Sequence, residues 1–268
     1  MTSHQPQASH HISAPASPAA VACPVCSIET VPHDVVDFSK NCEEARQRFL
    51  PLAGWPIYYH RCPDCGFVLA PEFRQWSDQD FQQHIYNERY AEIDPDALSK
   101  RPAANADLLR QLFGGSHKEI RHLDYGGHGA LSGALAEQGW DSAAYQPVPH
   151  DPQRLADLGK FNLISAFEVF QRAPDVNQLM QNLAALMEDE CMVLFSTLLT
   201  DGTVKPNTRL TWWYAAPRNG HVSLYSRQSL TLLAEQHHLQ FGSFNNGLHC
   251  LFNQLPAWAA RLLTPKQT

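Results

Sequence analysis

His122-Leu123-Asp124-Tyr125-Gly126-Gly127-His128-Gly129-Ala130-Leu131 is the stretch on which the fold turns. The residues from Ile120 to Tyr125 form a short predicted strand, and the glycines that follow break it. Leu131 to Gln138 then carries a helical pattern closed by Gly139. Glycines between a strand and a helix N-terminus let the backbone approach a ligand closely at the carboxyl edge of a sheet. Such turns also hold glycines for packing alone, so the neighbouring segments decide between the two.

Upstream, Asn105 to Phe113 is predicted as a helix with Asn105 as its N-cap. Downstream, Ser142 to Tyr145 and Phe161 to Phe167 are predicted strands. A longer helix is expected to start at Pro174, with Val176, Leu179, Met180, Leu183, Leu186 and Met187 on one face. Cys191 to Leu198 is nearly all apolar, as a strand covered on both faces should be. Another helix is predicted over Ser229 to His238. The last two strands, Gln240 to Phe244 and Leu248 to Phe252, flank Asn245-Asn246-Gly247, and Asn-Gly favours a tight hairpin because both residues tolerate positive φ.

Strands alternating with helices predict an α/β, Rossmann-like, mostly parallel sheet with right-handed crossovers and a C-terminal antiparallel hairpin. The expected organisation is a disordered leader over 1–22, a cysteine-bearing zinc-ribbon module over 23–72 and a connector over 73–102. The α/β domain follows over 103–254, with a tail over 255–268.

The glycine turn resembles motif I of class I S-adenosylmethionine (SAM) methyltransferases, whose usual form is Asp-x-Gly-x-Gly-x-Gly. Phe161 to Val169 is similar to that family's fourth-strand segment, and Met192 to Thr197 to its fifth strand. Trp212 to Ser226 resembles the loop before the last helix in zinc-ribbon members, including sugar C-methyltransferases. The resemblance implies SAM as cofactor, held by Asp124, Gly126, Gly127, Gly129, Gln146, Ala166, Phe167 and Glu168. It also places His128 and Ala130 on two family glycines, Gln146 on the acidic residue that ends strand two, and Gln171-Arg172 on a frequent Glu-His pair. The stretch between Gln146 and Phe161 is short for a full helix-strand unit.

Methyl transfer needs donor and acceptor in line and, for a weak nucleophile, a proton acceptor. His221 is the candidate base, because imidazole titrates near neutrality and the Gly220-His221 stretch resembles the position of the proposed base in zinc-containing sugar C-methyltransferases, which carry Glu-His there. Tyr214 and Tyr225 are candidates to orient an acceptor, and Arg218 to pair with a phosphate or carboxylate. Trp212 and Trp213 would wall it. The bland alternative is a lid whose aromatics fill an interface. His122, His237, His238 and His249 show no spacing that demands a metal.

Cys23-Pro-Val-Cys26 and Cys62-Pro-Asp-Cys65-Gly66 form two knuckles that together offer four thiolates, the donor set of a closed structural zinc site. With no open position, such an ion would be structural. A redox dithiol is the competing reading, and His33, His60 and Cys42 are spare ligands. Cys42, Cys191 and Cys250 are expected to be buried.

The chain has 268 residues, 44% of them hydrophobic, and a net charge of −7, so a packed core is expected and broad attraction to nucleic acid is not. Its apolar runs are too short to span a bilayer and the N-terminus lacks a secretory signal, so the protein is expected to be soluble and cytoplasmic, with a small-molecule substrate. The sequence leaves the oligomeric state open. Three readings compete: a small-molecule methyltransferase, with a sugar among the possible acceptors; a degenerate methyltransferase fold used as a scaffold; and modification of nucleic acid or protein guided by the ribbon.

Overall fold

The parallel core is built from β5 (Arg121–Tyr125), β6 (Asp141–Tyr145), β7 (Phe161–Phe167) and β8 (Met187–Ser196), the last two buried over residues 163–166 and 191–195. A computed structural model describes residues 20–148 and 151–263. Numbered from the N-terminus, the preceding strands are β1 (Val21–Ala22), β2 (Glu29–Asp37), β3 (Pro56–Arg61) and β4 (Val68–Leu69). Those after the core are β9 (Ser223–Leu224), β10 (Gln240–Ser243) and β11 (Leu248–Phe252). The larger sheet runs β10-β11-β8-β7-β5-β6. Its four core strands are mutually parallel, and β10 and β11 form the antiparallel hairpin at one edge.

The chain leaves β5 for β6 on one side and returns to β7 on the other, so the strand order reverses beside β5. Ligands bind at such switch points, outside the carboxyl ends of the strands. Between β6 and β7 the described residues hold only the short helix α5 (Pro152–Asp157), so β6 is the sheet's edge.

Helices α3 (Lys100–Phe113), α4 (Ala130–Ala136), α6 (Val176–Leu186) and α7 (Arg227–Gln236) pack against this sheet. Several ends differ from the sequence reading. Asn105 lies inside α3, which begins at Lys100 and tolerates Pro102 because first-turn N–H groups have no helical partner. Pro174 precedes α6, whose cap is Asp175, accepting from the N–H groups of Asn177 and Gln178 at 3.0 Å. Met187 opens β8 beside Phe161 instead of closing the helix.

The second sheet, β1-β2-β3-β4-β9, carries the N-terminal cysteines, and its last strand comes from the far end of the chain. Ser223 and Leu224 pair with Leu69 and Val68. Cys23, Val25, Cys62 and Phe67 belong to the same buried cluster as Met180, Phe195 and Leu230, so the N-terminal module shares a core with the larger domain. Val21 and Ala22, expected in the leader, pair with Thr30 and Glu29. Residues 1–19 of that expected leader, with His4, His10 and His11, lie outside the described residues. Part of the expected tail is ordered too, as α8 (Ala260–Leu263), and Trp258 meets Phe113 edge to face at 5.1 Å.

The expected connector is a helical cap. It contains α1 (Asp78–His84), α2 (Tyr90–Ile93) and the start of α3. Ser77 caps α1 reciprocally with Asp80. Among the described residues no helix is long and apolar enough to cross a membrane.

Candidate active site

Asp124 is the penultimate residue of β5, with its carboxyl group folded into the glycine turn. A methyl group on Gly127 would stand 1.7 Å from Asp124 Oδ2, so the carboxylate fills the space a side chain there would need. Gly126 has φ +86°, and an added Cβ would meet Val169 at 2.5 Å. Gly129, at φ +92°, is the N-cap of α4. These three positions need glycine for three different reasons: side-chain clearance, a clash beneath positive φ, and positive φ alone.

Ser165 donates to Asp124 Oδ1 at 3.2 Å, and its Oγ lies 2.9 Å from His122 Nε2; His122 Nδ1 in turn lies 2.7 Å from Ser142 Oγ. Asp124 is 5% exposed. Burial pushes its carboxyl up to about 6, against the smaller opposing pull of the Ser165 hydrogen bond. The same burial pushes the His122 imidazole down to about 3, so it stays neutral.

A cavity of about 810 Å³ opens on this turn, between the carboxyl ends of the strands and the helical cap. That volume lies within the range of pockets that enclose cofactors and small ligands. Asp124, Gly126, Gly127, Gln146, Phe167 and Glu168 line one side. His128 and Ala130 also line it without filling it; His128 is exposed, and its Nε2 accepts from Gln146 Nε2 at 2.9 Å. Gly129 and Ala166 are not on the wall, and Ala166 is fully buried in β7.

Glu168 sits just beyond β7 with φ +59°, a conformation that costs a non-glycine residue energy and collects at functional sites. Its carboxylate is fixed from both sides. Ser196 donates to Oε1 at 2.9 Å and Gln171 to Oε2 at 2.8 Å. The facing wall comes from the cap and includes Trp76, Phe81, Tyr86, Tyr90 and Arg101, none of which the sequence reading singled out.

The four residues expected to handle the acceptor do not reach this cavity; none of them lines it. His221 is 2% exposed, with Nδ1 2.9 Å from the Tyr214 carbonyl and 3.8 Å from Cys42 Sγ. Burial, with Arg172 nearby, pushes its imidazole down to about 3. Tyr225 donates to the Phe170 carbonyl at 3.0 Å, and Arg218 to that of Ile85 at 2.9 Å. Tyr214 packs edge-on against His221, and its hydroxyl lies 3.5 Å from Thr197 Oγ1. Every residue from 214 to 226 is buried. Lys40 reaches in to donate to the Trp212 and Ala215 carbonyls at 2.6 and 2.8 Å, which satisfies backbone that a buried loop would otherwise strand. Trp213 is exposed and Trp212 half-buried, away from the cavity wall.

A family model described as "Methyltransferase domain" matches residues 97–241, more than half of the chain. The chain belongs to the methyltransferase-domain family. The matched span runs from the end of the cap to β10 and includes the whole strand side of the cavity.

Solved structures similar to the methyltransferase domain include an O-methyltransferase family protein from Burkholderia thailandensis, at 14% identity and TM-score 0.47 over 68% of this chain and 64% of that one. Magnesium protoporphyrin IX methyltransferase from Synechocystis PCC 6803, with bound SAH, is 14% identical at TM-score 0.39, over 58% of this chain and 83% of that one. Mitomycin 7-O-methyltransferase MmcR is 12% identical at TM-score 0.44, over 66% and 60%. No curated protein matches the chain.

Beside the methyltransferase domain, the Sγ atoms of Cys23, Cys26, Cys62 and Cys65 lie within 4.8 Å of one another. Cys23 and Cys65 are 3.6 Å apart, and Cys26 and Cys62 3.3 Å. A tetrahedral zinc with bonds of about 2.3 Å would hold its sulfurs about 3.8 Å apart, close to this spacing. Each knuckle turns through a positive φ just after its second cysteine, at Ser27 (63°) and Gly66 (72°). His33, His60 and Cys42 stand outside the group. Asn177 at the start of α6 donates to the Pro24 carbonyl at 2.9 Å, and Gln236 at the end of α7 donates to that of Val25, which fixes the first knuckle to the methyltransferase domain.

Proposed function

We propose that this protein is a SAM-dependent methyltransferase acting on a small-molecule acceptor, with a structural zinc held by Cys23, Cys26, Cys62 and Cys65. One observation carries the reading: a cavity of about 810 Å³ opens at the strand-order reversal, directly on the glycine turn that follows β5. The side chains present fit the cofactor. Asp124 and Glu168 line the cavity with carboxylates that could pair with the positive charge SAM carries, and Gln146 on the same wall could hydrogen-bond its hydroxyls. Bound SAM would supply the electrophilic methyl group.

The chain's own residues then bind, orient and take up a proton. The helical cap shields the acceptor from water. Glu168 stands on the cavity wall with its carboxylate fixed by Ser196 and Gln171, and is the proton acceptor proposed for a hydroxyl nucleophile. This moves the base from His221, which is buried, neutral and off the wall. Tyr214, Tyr225 and Arg218 are proposed to hold the loop in place. Because the zinc would be closed by four sulfurs, it takes no part in transfer.

Isothermal titration with SAM and S-adenosylhomocysteine tests the reading. One site of micromolar affinity for both is expected. Absence of heat with either ligand at several hundred micromolar would favour the scaffold reading, to which the hydrogen bond between His128 and Gln146 across the ribose position lends its support.

A further inference from the structure

Four polar side chains cross the middle of the larger sheet in one line, from β6 through β5 to β7 and back to Asp124. Ser142 Oγ lies 2.7 Å from His122 Nδ1, His122 Nε2 lies 2.9 Å from Ser165 Oγ, and Ser165 donates to Asp124 Oδ1 at 3.2 Å. His122 and Ser165 are fully buried, and Asp124 reaches the cavity wall. The protons in this line have little freedom. An ionised carboxylate only accepts, so the single Ser165 hydroxyl hydrogen points to Asp124. The Ser165 oxygen is left to accept, and its donor is His122 Nε2–H. Burial pushes the His122 imidazole down to about 3, so the ring is neutral and its bare Nδ1 accepts from Ser142. The other tautomer would set a ring lone pair against the Ser165 oxygen and draw the hydroxyl hydrogen away from Asp124.

Among the described residues no charged group bonds to either Asp124 or His122. α4, packed over this face, has no titratable side chain. Those of α3 are Lys100 and Asp107, exposed, Arg110, half-buried, and Arg101, tied to Asp94. On the flanking strand β6, Asp141 is exposed. The Trp140 ring meets His122 edge-on at 6.5 Å and has His117 against it at 6.0 Å. On the cavity wall His128 is bonded to Gln146, and Glu168 to Ser196 and Gln171.

We propose that His122 is a positioning residue of the cofactor site: as the Nε2–H tautomer it commits the Ser165 hydroxyl to Asp124, keeps that carboxylate ionised, and so lets the site prefer cationic SAM over the thioether S-adenosylhomocysteine. The inference rests on the proposed SAM-dependent reading and specifies how its cofactor is discriminated. His122 itself touches neither ligand and takes up no proton.

The test uses the full-length protein. SAM and S-adenosylhomocysteine are titrated calorimetrically between pH 5 and 7.5 into wild type, Ser165→Ala, His122→Asn and His122→Gln. Burial raises the Asp124 carboxyl to about 6 while Ser165 pulls it down, so the wild-type preference for SAM should shrink as pH falls through about 6. In Ser165→Ala the decline should begin about 1 pH unit higher, a loss of about fivefold in that preference at pH 6 and little at pH 7.5. His122→Asn, with no donor at the Nε2 position, should behave as Ser165→Ala does. His122→Gln, whose amide N–H replaces Nε2–H, should restore the wild-type profile. A wild-type preference that ignores pH, or a loss in the variants that is equal for both ligands at every pH, overturns the proposal. Nitrogen-15 spectra of labelled wild type at pH 8 should show the His122 proton on Nε2, and a proton on Nδ1 overturns the proposal even where a variant fails to fold. Absence of binding by either ligand in the wild type counts against the cofactor reading, and the tautomer still decides the placement of the His122 proton.

Discussion

Replacing Asp124 by Asn should stabilise the free protein while weakening the cofactor site. Burial raises the Asp124 carboxyl from its ordinary value near 3.8 to about 6. The shift of about 2 pH units corresponds to about 3 kcal/mol that the folded chain loses by holding the carboxylate ionised. The sign follows from linkage. Below pH 4 folded and unfolded chains both carry the proton and the penalty is absent. It grows as pH rises from about 4 to 6, where only the unfolded chain has ionised, and is constant above. Asn keeps the oxygen that accepts from Ser165 but brings amide hydrogens that need partners, so a net gain of about 1–3 kcal/mol is expected at pH 7.5. Urea unfolding of both proteins across pH 4.5 to 8 reads the difference. It should shrink toward zero at the acid end. A variant less stable than wild type at pH 7.5, or a difference that ignores pH, would refute the electrostatic reasoning. In the same variant SAM affinity should fall at least tenfold if the proposed site is right, since it would lose a carboxylate available to a cationic cofactor.

Gly126→Ala meets both positive φ and Val169 at 2.5 Å, so a loss of about 1–3 kcal/mol in chemical denaturation and a loss of SAM affinity are expected together. Tyr225→Phe removes only a buried hydroxyl bonded to the Phe170 carbonyl; it should cost about 1 kcal/mol in the same assay and leave S-adenosylhomocysteine affinity unaltered. Cys62→Ser should abolish the one equivalent of zinc expected by native mass spectrometry. Because the cysteine module shares its core with the methyltransferase domain, the melting temperature of the whole protein should fall, by about 6–12 °C for a loss of about 3 kcal/mol.

The parallel core was legible because the buried parts of β7 and β8, residues 163–166 and 191–195, are largely apolar, and the hairpin because Asn245-Asn246-Gly247 marks a turn, although neither Asn246 nor Gly247 takes the positive φ expected of an Asn-Gly turn. The four-cysteine cluster was legible from spacing. The strand side of the cavity was legible from the glycine turn, apart from Gly129 and Ala166, which serve the helix cap and the core. What escaped depends on contacts distant in sequence. β9 is two residues long and has no periodicity, and it exists because Val68 and Leu69 offer it an edge. His221 stands after a glycine in a stretch that resembles an exposed loop, yet Lys40, some 180 residues away, satisfies that loop's carbonyls and allows its burial. The cap could have been found. Ser77 and Asp80 carry a capping signal, and Trp76, Phe81, Tyr86 and Tyr90 recur every four or five residues, but each helix is too short for an apolar stripe to emerge.

The claim beneath all of this is that the hollow over the β5–α4 turn receives the cofactor. Hydrogen exchange read by mass spectrometry, with and without S-adenosylhomocysteine, tests it residue by residue. The account predicts slowed exchange in peptides covering 124–131 and 145–148, with the Cys23–Cys26 knuckle unaltered. Unchanged exchange across the glycine turn at saturating ligand, or protection confined to another part of the chain, would contradict it.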